Sequence, residues 1–500
     1  MPSLKDLASQ TAIYGLSSII GRFLNYLLVP LYTYHIAASS GGYGVVTNIY
    51  AYTAFLLVIL TFGMETTFFY FANRSDVDSR QAFSTAGHAV GIVSLVFWLL
   101  CMAFLSPVSA FLGYASRPEY IAIMATVIAL DAFQAILFAS LRQQNRPLKF
   151  VALKLSFIIC SIGLNLFAIL LAPVLQAKGW PLMGWYRPED QVLYIFLVNL
   201  ICCAGVTLGL IPEIRGLRLG ISLPLLRRML RYTWPLLLLG IVGILNQVAD
   251  KMLYPHLVPG HEGEVQLGIY GACVKLAMII ALFTQAFRFA YEPFVFGGAA
   301  DKNSPALQAL VMKYFVMTTL LAFLIVMFYM PLLRWFVAPA YWEGLGVVPI
   351  CMMAEIFMGI YFNLSFWYKL NGQTWWGAIF SAIGCAALLA VNVVFVPRYG
   401  YVACAWGGFV GYGLCMLLSY VVGRLKSPVP YPLGAILFYF ALAVGLWQLS
   451  CWLAPASEVL ALVLNSALLL VYVAVMLFNE RALVRQAYQQ IVGKVLRGRK

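Results

Sequence analysis

The sequence predicts an all-α integral membrane protein with about fourteen transmembrane helices. Of its 500 residues, 63% are hydrophobic and only 10% are charged, whereas about 25% of the residues in a soluble domain are charged. The apolar residues come in blocks of about 20, the length that a helix needs to cross about 30 Å of hydrocarbon. Fourteen blocks can be read, at 11–33, 44–70, 84–105, 119–141, 150–173, 191–212, 233–255, 268–296, 310–333, 345–368, 376–396, 402–423, 434–454 and 458–478.

Lysine and arginine are distributed unevenly between the two sides of this arrangement. If the N-terminus is cytoplasmic, 22 of the 32 basic residues fall in cytoplasmic segments and 5 in the opposite loops. Such an asymmetry is typical of positive-inside topology and predicts that both termini are cytoplasmic. The net charge of +14 is therefore interpreted as topology and contact with anionic membrane lipids, and no nucleic-acid partner is expected.

The motifs that the chain lacks narrow its class further. All ten cysteines fall inside the apolar blocks without C-x-x-C spacing, which indicates small buried hydrophobes rather than a metal site. The sequence has no P-loop, no metal-binding histidine spacing and no long loop carrying a catalytic constellation. No enzymatic activity is therefore expected, and no catalytic residue, metal or cofactor is predicted.

Basic segments and a weak internal repeat suggest how the spans are grouped. A constant offset of 227 aligns 43–69 with 270–296, and six of the 27 positions match, including the acids Glu65 and Glu292. A repeat of six spans predicts two pseudo-symmetric six-helix bundles. The predicted division is an N-terminal lobe at 1–212, a basic amphipathic connector at 213–232, a C-terminal lobe at 233–423, helices 13 and 14 at 424–478 and a basic cytoplasmic tail at 479–500. For the connector and the tail, simple topogenic charge is an equally good interpretation.

Polar side chains inside the spans are the candidate functional residues, because each ionisable group in hydrocarbon needs a partner, a cavity or the interface. Those at helical spacing on the first, seventh and eighth spans predict a polar cavity that binds substrate: Arg22, Asn25, Asn246, Gln247, Asp250, Lys251, Gln285 and Arg288. The candidates for ion coupling are the intramembrane acids Glu65, Asp131, Asp250, Glu292 and Glu355. The alternative is that Asp250–Lys251 and Arg288–Glu292 are pairs that only fix helix packing.

Several motifs resemble those of polysaccharide-unit (O-antigen-type) flippases, which belong to the multidrug/oligosaccharidyl-lipid/polysaccharide exporter superfamily. The segments that carry the resemblance run from Tyr14 to Asn25 and on to Pro30-Leu31, from Tyr43-Gly44 to Phe62-Gly63-Met64-Glu65, from Leu141 to Phe150, from Asn246 to Lys251, at Gly268-Ile269-Tyr270-Gly271 and from Asn363 to Asn371. Together they extend over nearly the whole chain.

The resemblance implies alternating access between two six-helix lobes, driven by H⁺, Na⁺ or the membrane potential. The cargo would be an oligosaccharide on undecaprenyl pyrophosphate in the bacterial inner membrane, and a polysaccharide polymerase and glycosyltransferases would be partners. Arg22 and Arg288 match the cavity cations that hold the pyrophosphate in the family, since guanidinium binds phosphate with two parallel hydrogen bonds. The alternatives are a cation-coupled multidrug or small-molecule antiporter of the same fold and a membrane enzyme acting on lipid-linked sugars.

Overall fold

The computed structural model describes residues 26–181, 184–217, 220–296, 305–453, 455 and 457–481, without the side chains of 289, 290 and 292–296. Within these ranges the chain is helical and contains no β-strand. The α-helices are α1 (Leu28–His35), α2 (Gly42–Thr61), α3 (Met64–Ala72), α4 (Ser79–Ala103), α5 (Leu105–Phe111), α6 (Pro118–Gln143), α7 (Pro147–Leu166), α8 (Ala172–Ala177), α9 (Gln191–Gly209), α10 (Ile211–Arg215), α11 (Leu223–Leu257), α12 (His261–Phe296), α13 (Pro305–Phe328), α14 (Met330–Leu333), α15 (Val348–Leu364), α16 (Phe366–Leu370), α17 (Trp375–Tyr399), α18 (Tyr401–Lys426), α19 (Leu433–Leu453) and α20 (Glu458–Asn479).

Thirteen helical segments of the described chain are long and apolar enough to cross a membrane. They correspond in order to the second to fourteenth predicted spans. The predicted first span, 11–33, lies mostly outside the described residues, and α1 begins near its end. The prediction of an all-α, many-span membrane protein is confirmed.

The outward faces of the spans are apolar. On α4, for example, Ile92, Leu95 and Leu99 follow helical spacing, and each is at least half exposed. A row of exposed large aliphatic side chains is costly in water but matches a hydrocarbon solvent. These faces therefore point to lipid.

The second span is interrupted at a point that the sequence does not predict. The helix ends at Thr61 and restarts at Met64, because Phe62 and Gly63 both have positive φ, at 33° and 70°. A break of this kind frees backbone carbonyls, which must find other partners inside a membrane. Thr233 of α11 supplies one, since its hydroxyl donates to the carbonyl oxygen of Phe62 at 2.5 Å.

The seventh span begins earlier than predicted. We expect its start at Thr233, but α11 runs without interruption from Leu223 to Leu257. Pro224 stands in the first turn, where proline is tolerated, and Pro235 lies inside the helix. A transmembrane helix accommodates such a proline when neighbouring groups satisfy the freed carbonyl. The second half of the predicted connector therefore forms the first turns of α11.

The chain divides into two compact units. Unit 1 takes in the described parts of Met1–Lys275, Phe336–Val347 and Gln373–Cys415. Unit 2 takes in those of Leu276–Trp335, Val348–Gly372 and Met416–Lys500. These boundaries differ from the predicted lobes, whose division stays a prediction.

Each unit has a core of its own. In unit 1, α6 packs against α2, α4 and α9, and the fully buried Met64, Phe68 and Ile136 lie in one apolar cluster. In unit 2, α13 packs against α15, α19 and α20. The fully buried Phe315 and Phe323 occupy its inner face, and the rings of Phe287 and Phe315 are 4.9 Å apart. These contacts hold rigid the helices that carry the polar side chains.

A buried carboxylate joins two helix ends of unit 1 on the side predicted to be cytoplasmic. The Glu213 side chain in α10 is 3% exposed and binds Arg146 Nη1 at 3.1 Å and Lys149 Nζ at 2.5 Å. Both cations come from the turn that starts α7. Because one carboxylate binds two cations at once, removing it leaves both without their ion-pair partner.

Glu213→Ala is expected to lower the free energy of unfolding by about 3 kcal/mol, the low end for a broken buried pair, because Arg146 still reaches water. Denaturant unfolding in mixed micelles measures the change. The control is Glu458→Ala, whose side chain is 69% exposed beside Arg334 and which should cost less than about 1 kcal/mol. Equal losses in the two variants would contradict the role of Glu213.

A second pairing closes the end of α20 in unit 2. The Glu480 carboxylate, 11% exposed, binds Lys313 Nζ, and the Tyr314 hydroxyl donates to Glu480 Oε2 at 2.7 Å. Burial by itself raises the pKa of Glu480. The hydrogen bonds from Lys313 and Tyr314 outweigh it and hold that pKa below its usual value of 4.5.

A lowered folded-state pKa makes the stabilisation by Glu480 dependent on pH. The contribution is complete above about pH 4.5, the usual value, and is lost as the pH falls through the lowered pKa. Glu480→Gln should therefore reduce the thermal midpoint at neutral pH, and the gap to wild type should close on acidification below pH 4.5. A gap that stays constant through that range would be inconsistent with an ionised, paired Glu480.

Candidate functional site

Asp250 on α11 is a buried carboxylate inside a membrane span. It is 7% exposed, and its two oxygens accept hydrogen bonds from Lys251 Nζ at 3.0 and 2.9 Å. The Tyr270 hydroxyl of α12 donates to Asp250 Oδ2 at 2.7 Å. Since a charge in hydrocarbon is costly without a partner, this ion pair with its phenol donor explains how Asp250 stays there.

The backbone around Lys251 is bound by the second span. Asn48 Nδ2 of α2 donates to the Lys251 carbonyl at 2.7 Å, and Asn48 Oδ1 accepts from the Tyr114 hydroxyl at 2.9 Å. The Lys251 ammonium also lies 5.5 Å from the centre of the Tyr270 ring. We call Asn48, Asp250, Lys251 and Tyr270 the Asp250 cluster. It joins α2, α11 and α12 within unit 1.

The cluster depends on a close crossing of α2 and α12. A Cβ on Gly44 would lie 1.8 Å from the carbonyl oxygen of Glu264, and a Cβ on Gly268 would lie 3.0 Å from Gly44 N. Only glycine allows backbones to approach this closely. Asn48 and Tyr270 lie within about one helical turn of these glycines. The crossing therefore brings Asn48 to the Lys251 backbone and Tyr270 to the Asp250 carboxylate.

Asn246 and Gln247 show which face of α11 is buried. Asn246 is 6% exposed. Its side-chain amide donates to the Ser381 carbonyl at 3.0 Å, and its backbone carbonyl accepts a hydrogen bond from the Tyr412 hydroxyl at 2.9 Å. Gln247 is exposed. The predicted face shared by Asn246 and Asp250 therefore points inward, whereas Gln247 points out of unit 1.

Glu65 is the first of two acids near the beginning of the chain. It lies in the first turn of α3, after the break in the second span, and Arg142 Nη2 binds its Oε2 at 2.7 Å. Arg142 also lies 5.1 Å from the Phe69 ring. The Glu65 side chain remains 40% exposed, whereas that of Asp250 is 10% exposed.

Asp131 on α6 is held differently. Its Oδ1 accepts a hydrogen bond from the Cys203 thiol at 3.1 Å, and Gln134 Nε2 donates to the Cys203 carbonyl at 3.0 Å. Lys154 is close enough to attract the Asp131 carboxylate, and its ammonium lies 4.1 Å from the Phe138 ring. Asp131 therefore has weaker hydrogen-bond donors than Asp250, since a thiol donates poorly.

The unit 2 candidates lie on α12 and α15. The Arg288 guanidinium lies 4.2 Å from the Phe362 ring, a cation–π geometry that holds a partly buried charge in place. Gln285, one turn before it, has a buried Oε1 without a hydrogen-bond partner among the described residues. Glu355 is half-buried. The Glu292 side chain lies outside the described residues.

Arg22 and Asn25 also lie outside the described residues, so their assignment to a cavity stays a prediction. Sequence reasoning missed Asn48 and Tyr270, although the repeated pairs Tyr43-Gly44 and Tyr270-Gly271 mark the segments that bring them together. Across the described ranges, no three His, Cys, Asp or Glu side chains are grouped so that they could hold a metal ion. A carboxylate bound by one ammonium and one phenol can take up a proton or a monovalent cation, and the released ammonium can bind an anion.

These features define a many-span membrane protein, and its fold is similar to those of solved flippases and multidrug transporters of the MOP superfamily. A lipid II flippase, MurJ in an inward closed conformation, superposes with a TM-score of 0.72 at 12% identity, over 94% of this chain and 99% of that chain. An inward-facing multidrug resistance MATE family transporter superposes with a TM-score of 0.63 at 12% identity, over 81% and 94%. The MATE multidrug transporter DinF-BH superposes with a TM-score of 0.58 at 16% identity, over 84% and 96%.

The likeness lies in the fold rather than in the sequence. No protein-family model matches the chain, and no curated protein matches it in sequence. The resemblance drawn from the motifs is confirmed at this level: the fold is that of a lipid II flippase and of MATE transporters of the MOP superfamily.

Proposed function

We propose that this protein moves undecaprenyl-pyrophosphate-linked oligosaccharide repeat units across the bacterial inner membrane by alternating access. The units would then be used for surface polysaccharide or lipopolysaccharide assembly. The observation that carries the proposal is the match to a lipid II flippase over nearly the full length of both chains. Glycosyltransferases that supply the repeat unit and a polymerase that consumes it are the partners this role requires.

Cations inside the spans support a pyrophosphate-bearing cargo. The Arg288 guanidinium lies over the Phe362 ring, and guanidinium forms paired, charge-assisted hydrogen bonds with phosphate oxygens. Lys251 can exchange its bond to Asp250 for one to an anion. The coupling ion would be H⁺ or Na⁺, or the membrane potential would drive the step directly, with Asp250, Asp131, Glu65, Glu292 and Glu355 as coupling candidates.

A clean deletion tests the cargo. In a strain without a paralogue, loss of the protein should abolish surface polysaccharide while lipid-linked repeat units accumulate in the cytoplasmic leaflet. The leaflet that holds the lipid-linked repeat units is determined from their resistance to a membrane-impermeant oxidant added from outside. A catalytically dead glycosyltransferase strain is the control, since it loses the polysaccharide without accumulating the intermediate. Normal surface polysaccharide in the deletion would overturn the proposal.

A cation-coupled multidrug or small-molecule antiporter is the second candidate. It is favoured by the likeness to two MATE multidrug transporters and by two carboxylates inside spans, the half-buried Asp131 and the buried Asp250, which an antiporter could protonate in turn. Under this function the deletion strain becomes more susceptible to organic cations and retains a fluorescent cation longer. Unchanged susceptibility and retention would remove this candidate.

The predicted membrane location is tested by reporter fusions. With both termini cytoplasmic, a fluorescent protein fused after Lys500 should be bright and a phosphatase fused there should be inactive. The reverse pattern should appear for fusions placed in the loop near Arg117. A phosphatase active at the C-terminus would contradict the positive-inside orientation.

A further inference from the structure

A shallow, partly open cleft lies in unit 2 beside the C-terminal end of α18. Its walls include Trp367, Tyr420, Arg424, Ser427 and Tyr431. These side chains offer one guanidinium, two phenols and a hydroxyl at the opening of the cleft.

Hydrogen bonds and a glycine give the cleft its shape. Trp367 Nε1 of α16 donates to the Ser419 carbonyl at 3.2 Å, which fixes the indole as the back wall. A Cβ on Gly423 would lie 2.8 Å from Trp367 Nε1, so the cleft needs glycine at this position. The Tyr420 and Tyr431 rings, 6.3 Å apart, form the opposite side.

Arg424 is the one charged side chain among the described residues that line the cleft. Between Glu355 and Glu458 the sequence contains no acidic residue, and the basic residues of this stretch are Lys369, Arg398, Arg424 and Lys426. Three of them stand at one membrane end, because α16 and α18 are separated by a single span and both end there. No carboxylate of the described chain pairs with Arg424. The positive potential at this membrane end favours the binding of an anion.

An apolar stripe leads from the cleft along the outer face of α18. Leu417, Val421 and Leu425 recur every four residues and are 55%, 53% and 80% exposed. Aliphatic side chains so placed can lie along acyl chains, while Tyr420 and Tyr431 stand near the end of the span, where aromatic residues meet lipid headgroups. A free phosphate would use only the cleft, whereas a phospholipid would use the cleft and the stripe.

We propose that this cleft binds the phosphate headgroup of an anionic glycerophospholipid. Arg424 forms paired hydrogen bonds with the phosphate oxygens, Ser427 and Tyr431 donate to them, and the acyl chains follow Leu417, Val421 and Leu425. The site shares no residue with the Asp250 cluster and does not include Arg288. With the predicted orientation it faces the cytoplasmic leaflet, where anionic lipids are abundant.

The test titrates the purified full-length protein in detergent with phosphatidylglycerol and counts bound lipid by native mass spectrometry. Arg424→Gln should weaken the tightest-bound lipid by about fivefold or more. Arg398→Gln, an exposed arginine of the same acid-free stretch but at the opposite membrane end, should change it less than about twofold. Phosphatidylcholine, which has the same chains without net charge, should not occupy the site in wild type.

A cleft-filling variant and competition by inorganic phosphate test the same site independently. Ser427→Trp fills the cleft while keeping Arg424, and it should reduce phosphatidylglycerol binding as strongly as Arg424→Gln. Inorganic phosphate alone should displace the lipid only weakly, because it lacks the acyl contacts. Equal binding by Arg424→Gln and Arg398→Gln, or complete displacement by inorganic phosphate at the ionic strength of a sodium chloride control, would overturn it.

Discussion

Replacing Arg288 with alanine is expected to abolish export of lipid-linked oligosaccharide while leaving the amount of protein in the membrane unchanged. If the guanidinium holds the pyrophosphate, its loss removes two charge-assisted hydrogen bonds of about 1.5 kcal/mol each, which corresponds to at least about a 100-fold slower rate. The contact with Phe362 at 4.2 Å contributes less, since a cation–π pair is worth about 0.5–2 kcal/mol. Export is measured as surface polysaccharide per membrane-inserted protein.

Two variants separate binding from packing at this position. Arg288→Lys keeps the positive charge but loses the planar, two-pronged geometry, so export should fall to an intermediate rate. Arg398→Ala removes an exposed arginine outside the candidate site and should export normally. Full export by Arg288→Ala would assign Arg288 to helix packing. The same comparison applied to Arg22→Ala tests the other predicted phosphate ligand.

Replacing Asp250 with leucine is expected to stop export and to destabilise the protein. The variant leaves the Lys251 ammonium, 20% exposed at the side chain, without its carboxylate, and an uncompensated buried charge costs about 3–5 kcal/mol. Tyr270 loses its acceptor as well. The thermal midpoint in detergent and the rate of export are the two measurements.

The double variant Asp250→Leu with Lys251→Met distinguishes the two interpretations of this pair. Replacing both ions by apolar side chains of similar size is often neutral or stabilising, so the thermal midpoint should return to that of wild type. Export should remain absent, because neither a proton nor a cation can bind at the site. Export at the wild-type rate would show that the pair only fixes packing. Arg334→Met with Glu458→Leu, an exposed pair, is the matched control and should leave both measurements unchanged.

The candidate residues could be predicted from the sequence because polar atoms are rare inside apolar spans. The spacing of Asn246 and Asp250 places both on one helix face, and the structure confirms that this face is buried. Their partners could not be predicted. Asp250 is bound by Tyr270, on the next helix, and Glu65 by Arg142, which is 77 residues away.

Local backbone geometry shows the same limit. Hydropathy predicts one continuous second span, but the helix breaks at Phe62 and Gly63, and the Thr233 hydroxyl of another helix satisfies a freed carbonyl. Likewise, the charged turns from Leu223 to Tyr232 suggest a connector, yet they continue directly into α11. In both cases hydropathy measures the apolar length of a segment. It carries no information on the residues at which the helix begins, breaks or ends.

The sequence by itself determined that this chain is an all-helical membrane protein, because a segment of about 20 apolar residues in lipid must satisfy its backbone hydrogen bonds internally. It also predicted which charges lie inside the membrane. Only the tertiary structure decided how those charges are neutralised. The Asp250 cluster forms where Gly44 lets two helices approach within backbone contact, and that approach depends on side chains and glycines far apart in the sequence.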